Sequence, residues 1–210
     1  MKQPNIVITD YGVGNIDSIR NALTRLGYQK ITLSSKAKAL NDADAIILPG
    51  VGAFAECVEK IKRRNLDHIL EEAVLGQKRP LMGICVGMQL MGSYSEEGGL
   101  HQGLGWIPGS VSRFDLPNEF AVPHVGWNDI NPVKKESYFS SLSADPDFYF
   151  DHSYHFRCDD EHVLATCHYG ITIVAAIQKE NIFGVQFHPE KSQNNGLRLF
   201  RSFFNKLEQC

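Results

Sequence analysis

Pro80-Leu81-Met82-Gly83-Ile84-Cys85-Val86-Gly87-Met88-Gln89 is the stretch whose reading decides the fold. An apolar run stops at small residues, and Met88-Gln89-Leu90-Met91 then opens a helical pattern. Residues 83–87 spell G-x-C-x-G, the thiol version of the G-x-S-x-G nucleophile elbow, which requires a strand before it and a helix after it. A nucleophile on so tight a turn sits in strained backbone, and the glycines on either side relieve the clash. The helix start favours the thiolate and offers N–H groups to an oxyanion. Alone, the pattern reads as well as a buried structural cysteine among packing glycines.

Upstream, Ile6-Val7-Ile8 is a short buried strand ending at Asp10. Asn15 is placed to cap a helix reaching Leu26, with Ile16, Ile19, Leu23 and Leu26 on one face and Gly27 as the stop. Ile31–Leu33 and Ala45–Leu48 are further strands, and helices are expected through Phe54, Val58 and Ile61 and from near Asp67 to Gly76. Strand alternating with helix predicts a parallel sheet covered on both faces. From Gly103 to about Gln186 the pattern changes to short β runs split by turn residues: Phe148–Phe150, Ile171–Ala176 and Ile182–Phe187. These predict antiparallel hairpins. A helix closes the chain, with Leu197, Phe200, Phe204 and Leu207 as its stripe. The expected architecture is α/β, a mostly parallel sheet flanked by helices with an antiparallel extension, in a single domain over residues 1–210.

A formal net charge of −3 with both signs mixed along the chain excludes the basic footprint of a nucleic-acid binder. No apolar stretch approaches the roughly 20 residues that span a bilayer. Met1–Asn5 lead straight into a strand with no secretory pattern, so a cytoplasmic protein is expected. Five cysteines, an odd number at wide spacing without C-x-x-C, read as reduced thiols rather than a zinc or redox site. No cofactor and no metal are expected.

Three further segments carry chemistry. Gly184-Val185-Gln186-Phe187-His188-Pro189-Glu190 ends a strand at a histidine, with an acid two residues on. A thiol nucleophile needs a base and the base an orienting group, and this pair supplies both. Pro49-Gly50-Val51-Gly52 ends the third strand in a loop able to aim a peptide N–H at an oxyanion, though a plain turn reads better on its own. His152-Ser153-Tyr154-His155 reads as a hairpin with polar side chains outward in preference to a metal site, and Trp127 beside Gly126 reads equally well as a contact surface or as ordinary core packing.

Taken together, these segments resemble the class I, triad-type glutamine amidotransferases, and within them the glutaminase subunits of imidazole glycerol phosphate synthase. The likeness runs from residues 10–15 through 49–54, 83–90, 95–98, 123–128 and 152–154 to 184–193. It implies a flavodoxin-like sheet, Cys85 as nucleophile, His188 as base then acid, and Glu190 as its orienter. Glutamine contacts would come from Gln89, Glu97 and the backbone of Ser153 and Tyr154, with oxyanion donors at Val51, Gly52 and Val86. It also implies a heterodimer with a (β/α)₈ barrel synthase, reached through Asn15, His124, Trp127 and Lys191, that takes the ammonia. Trp106 and the run His155-Phe156-Arg157-Cys158 depart from the commonest pattern and look like a paralogue that feeds sugar modification in surface polysaccharides. A cysteine peptidase on the related scaffold is the alternative from another enzyme class.

Overall fold

The computed structural model describes residues 3–134, 138–142 and 146–207. The first half alternates as expected: β1 (Ile6–Thr9), α1 (Ile16–Arg25), β2 (Ile31–Ser34), α2 (Ala37–Asn41), β3 (Ala45–Leu48), α3 (Phe54–Arg63), α4 (Leu66–Glu71) and β4 (Leu81–Ile84). A π-helical turn at Glu72–Gly76 follows α4. After β4 comes α5 (Val86–Gln89), a single turn. Strands then dominate: β5 (Tyr94–Ser95), β6 (His101–Gln102), β7 (Gly109–Arg113), β8 (His124–Pro132), β9 (Asp147–His152), β10 (Tyr154–Cys158), β11 (Val163–Tyr169), β12 (Ile171–Lys179) and β13 (Ile182–Val185). Helix α6 (Gln193–Leu207) ends the described chain.

Nine strands form one sheet in the order β2-β1-β3-β4-β13-β12-β11-β8-β9. The first five are parallel to one another, and from β13 onward each neighbour is antiparallel. This is the parallel core and antiparallel extension that the sequence predicts. Ile182–Val185 forms the expected antiparallel hairpin with β12, and on its other edge it lies parallel to β4, so it joins the two regions. Its four residues are all buried, like those of β1, β3 and β4. Continuous burial of that kind requires helices over both faces.

In α6 the buried stripe is Gly196, Leu199, Phe200, Phe203 and Phe204. It includes Phe200 and Phe204 of the expected stripe, whereas Leu197 and Leu207 only flank the core. Asn15 precedes α1 but makes no side-chain cap bond. A second, four-stranded sheet, β10-β7-β5-β6, stands beside the first. Because β9 and β10 are consecutive, the residues linking them, Asp151 to Tyr154, lie where the two sheets meet. Among the described residues no helix is long and apolar enough to cross a membrane.

Candidate active site

Cys85 stands between β4 and α5 with φ 54° and ψ −113°. A non-glycine residue held there stores on the order of 1–3 kcal/mol of backbone strain. The surroundings maintain it by close packing. A Cβ on Gly87 would lie 2.0 Å from the Leu48 carbonyl oxygen, and one on Gly50 would lie 2.4 Å from the Gly87 nitrogen. The ends of β3 and β4 thus touch backbone to backbone, which only glycine permits.

The strand-end loop 49–52 is pinned at both ends. The Tyr11 hydroxyl donates to the Pro49 carbonyl, and the Cys57 thiol donates to the Val51 carbonyl at 3.5 Å. Between these ties, the Gly50–Val51 peptide makes no hydrogen bond among the described residues. Gly52 sits at φ +85°. Glu97 accepts from the Phe54 backbone N–H at 2.8 Å, which fixes its carboxylate beside the loop.

His188 follows β13, and Pro189 opens a 3₁₀ turn over Pro189–Lys191. Its N–H donates to the Tyr149 carbonyl at 2.8 Å, and its carbonyl accepts from the Ser192 hydroxyl at 2.6 Å. The ring faces two ways: Nδ1 is 2.8 Å from Glu190 Oε1, and the ring lies close enough to Cys85 for the sulfur to act on its charge. Burial works against the charged imidazolium, but the Cys85 sulfur and the Glu190 carboxylate outweigh it and push His188 up to about 10. Asn15 Nδ2 donates to the same Glu190 oxygen at 3.4 Å, so the side chain expected to cap α1 is turned toward the triad acid instead.

A cleft of roughly 270 Å³ joins these parts, lined by Val51, Gly52, Cys85, Val86, Gln89 and Glu97 on one side. Pro123, Asp151, His152, Ser153, Tyr154, His188 and Lys191 close the other. Its volume lies below the range of about 300–1,000 Å³ that holds drug-sized ligands, and suits a single amino acid. Every catalytic, oxyanion and glutamine-binding residue expected from the sequence lines this cleft except Glu190, which stands behind His188. Sequence reasoning missed Gln186. Fully buried on β13's extension, it accepts from Gln89 Nε2 at 3.0 Å and points its own amide at Cys85 Sγ, 3.8 Å away. Its alternation with Phe187 and His188 was the signal available.

The other described cysteines are poor competitors. Burial raises Cys57 and Cys158 to about 11 and Cys167 to about 12, so they stay thiols at neutral pH. All four described cysteines are free, and Cys210 lies outside the described residues. Among the described residues, no group of three or more His, Cys, Asp or Glu is placed to hold a metal ion.

Two expectations are corrected. His152 and His155 do not point outward: they are 6% and 4% exposed, packed on Phe114 with ring centroids at 5.0 and 5.1 Å. The crossing of the two sheets turns both rings into an aromatic cluster. His124, expected to face a partner, is 2% exposed and stacks on Tyr169 at 3.9 Å. On β8 the alternate residues Val125 and Trp127 face out instead, at 53% and 45%. Lys191 is exposed at the cleft mouth, its ammonium 5.2 Å from the Tyr149 ring centre. Trp106 and His155, the departures from the common pattern, do not line the cleft.

A strained thiol, a histidine beside it and an acid behind that histidine constitute a thiol acyl-transfer site. The glutamine amidotransferase class-I family model matches residues 7–207, and the chain belongs to that family. Within it the similar proteins are imidazole glycerol phosphate synthase subunits called HisH. HisH 2 of Vibrio vulnificus is 48% identical over 95% of this chain and 94% of that protein. HisH 1 of Campylobacter jejuni is 41% identical over 94% and 98%. A solved structure described as a glutamine amidotransferase shares the fold at a TM-score of 0.75 and 20% identity, covering 96% of this chain and 98% of that one.

Proposed function

We propose that this chain is the glutaminase subunit of an imidazole glycerol phosphate synthase in histidine biosynthesis. It hydrolyses L-glutamine to glutamate and ammonia and passes the ammonia to a barrel-shaped synthase subunit, with residues 1–210 acting as one cytoplasmic domain. The observation that carries this reading is Cys85 at a positive-φ elbow, sharing an amino-acid-sized cleft with a histidine held by Glu190.

The geometry supports the following roles. His188 takes the Cys85 proton, and the sulfur attacks the glutamine carboxamide carbon. The oxyanion forms between the N–H groups of Val86 and of the 51–52 segment, and the protonated His188 then donates to the departing ammonia. Water, deprotonated by His188, next attacks the thioester; the C–S bond breaks, and glutamate leaves. Glu190 holds the ring and stabilises its charge without carrying the proton. Gln89 and Glu97 and the backbone at Ser153–Tyr154 bind the α-amino-acid end, a requirement that favours free glutamine over the peptide that a cysteine peptidase would need.

The unbonded Gly50–Val51 peptide supports a gated oxyanion hole, since one rotation there presents or withdraws a donor. The synthase subunit docks on the exposed side of β8, at Trp127, and over Lys191 and the Asn15 loop. The test is glutamine hydrolysis by the full chain with and without a purified synthase subunit. Glutamate release that rises at least 10²-fold with the partner supports the reading, being the worth of one oxyanion donor. Equal rates would remove the gating, and no release in either case would remove the glutaminase assignment.

A further inference from the structure

Three side chains outside the triad form a chain of hydrogen bonds whose direction is fixed from one end. The Tyr154 carbonyl can only accept, so His152 Nδ1, at 2.9 Å, carries the proton. In a neutral ring Nε2 is then an acceptor, and His124 Nδ1, 3.2 Å away, must donate to it. His124 Nε2 in turn accepts from Asn128 Nδ2 at 3.3 Å. The Asn128 amide is oriented independently, because the same nitrogen donates to the His168 carbonyl at 3.0 Å and its oxygen accepts from the Asp129 N–H at 2.9 Å. No member is left to choose its tautomer.

We propose that Asn128, His124 and His152 form a one-way relay that positions the Ser153–Tyr154 backbone, which makes the two histidines positioning residues for the α-amino-acid end of glutamine. The inference rests on the glutaminase reading and deepens it. The chain begins on β8, crosses to β9 through the directly opposed pair His124 and His152, and ends on the peptide that lines the cleft. The Tyr154 carbonyl also accepts from Gln89 Nε2 at 3.0 Å, so the relay and a cleft side chain converge on one atom. Burial holds His124 at about 4 and His152 at about 3, which keeps both rings neutral and the direction intact at physiological pH. Packing on Phe150, Tyr169 and Phe114 fixes the rings in place. The opposite side of β8 carries exposed Val125 and Trp127, so a protein docked there would press on the strand from which the relay starts.

The test compares two ways of modifying Cys85 in the full chain. Iodoacetamide needs no grip on an α-amino acid, whereas 6-diazo-5-oxo-L-norleucine does. His124→Phe keeps the stacking and removes the donor; the ratio of diazo to iodoacetamide labelling rates should fall about tenfold, the size of one lost buried hydrogen bond. His124→Asn, whose amide can stand where Nδ1 does, should restore the ratio to within about twofold. ¹⁵N NMR of the unaltered protein should show both His124 and His152 as Nδ1–H tautomers. An unchanged ratio in His124→Phe, or an Nε2–H tautomer at His152, overturns the relay even if a variant fails to fold. Iodoacetamide labelling that spares Cys85 in the unaltered protein overturns the glutaminase reading along with it.

Discussion

Replacing Gly87 by alanine places a methyl group where the Leu48 carbonyl oxygen already is. The added Cβ would stand 2.0 Å from that oxygen and 3.2 Å from the Pro49 carbonyl carbon. Ordinary C···O contact begins near 3.2 Å, so β3 and the elbow must part by more than 1 Å. The loop that carries Val51 and Gly52 hangs from β3, and Cys85 is on the elbow, so the shift separates nucleophile from oxyanion donors directly. Misplacement by about 1 Å costs on the order of 10²-fold in rate, and overpacking of this kind costs about 1–3 kcal/mol in stability. Gly87→Ala should therefore lower kcat/KM for glutamine by about 10²-fold or more while the protein remains folded. Gly27→Ala, at φ +91° with nothing within 4 Å and away from the cleft, is the control: it carries a backbone cost of about 1–2 kcal/mol but leaves the elbow in place. Steady-state glutamate release, paired with thermal melts, reads both effects. Activity of Gly87→Ala within threefold of the unaltered protein would refute the argument that the two strand ends are in obligatory contact.

Acid should destabilise the chain through its neutral histidines. Burial lowers His124, His152 and His155 to about 4, 3 and 4, so below about 6.5 the unfolded chain binds protons that the native state refuses, and stability falls with pH. Each contributes about 1 kcal/mol of loss between pH 7.5 and 5.5 after allowance for solvent screening. Urea titrations of His155→Phe, which removes a ring whose nitrogens have no partner among the described residues, should show a correspondingly smaller loss than the unaltered protein; identical losses would contradict the assignment. Glu190→Gln should reduce turnover less than His188→Ala, because the acid orients and does not transfer the proton, and full activity in Glu190→Gln would show that another group holds the ring. Lys191→Ala should weaken binding of the synthase subunit, measured by calorimetry, more than it raises KM for glutamine.

The parallel half of the fold was legible because each buried strand is a run of apolar residues followed by a helical period, as in Ala45–Leu48 before Phe54. The elbow was legible only in combination: glycines on both sides suit a positive-φ turn between touching strands, and the His188–Glu190 pair supplies the partners that a structural cysteine would not need. What escaped reading depends on contacts distant in sequence. Ile182–Val185 pairs with β4, some hundred residues earlier, and no local pattern distinguishes that partner from a hairpin neighbour. Asn15 sits where a cap belongs, and only the folded chain brings Glu190 to compete for its amide. His152 and His155 alternate with Ser153 and Tyr154 as in any half-exposed strand; burial on both sides comes from the second sheet, which the sequence did not announce.

Whether Cys85 is the thiol that hydrolyses glutamine is read from glutamate and ammonia release by the full chain mixed with a synthase subunit, for Cys85→Ala and Cys57→Ala side by side. Cys85→Ala should lose all hydrolysis with its melting temperature preserved or raised, since alanine adds no bulk at the elbow. Cys57→Ala should retain turnover, apart from any effect of freeing the Val51 carbonyl. Hydrolysis persisting in Cys85→Ala, or abolished only in Cys57→Ala, would contradict the account.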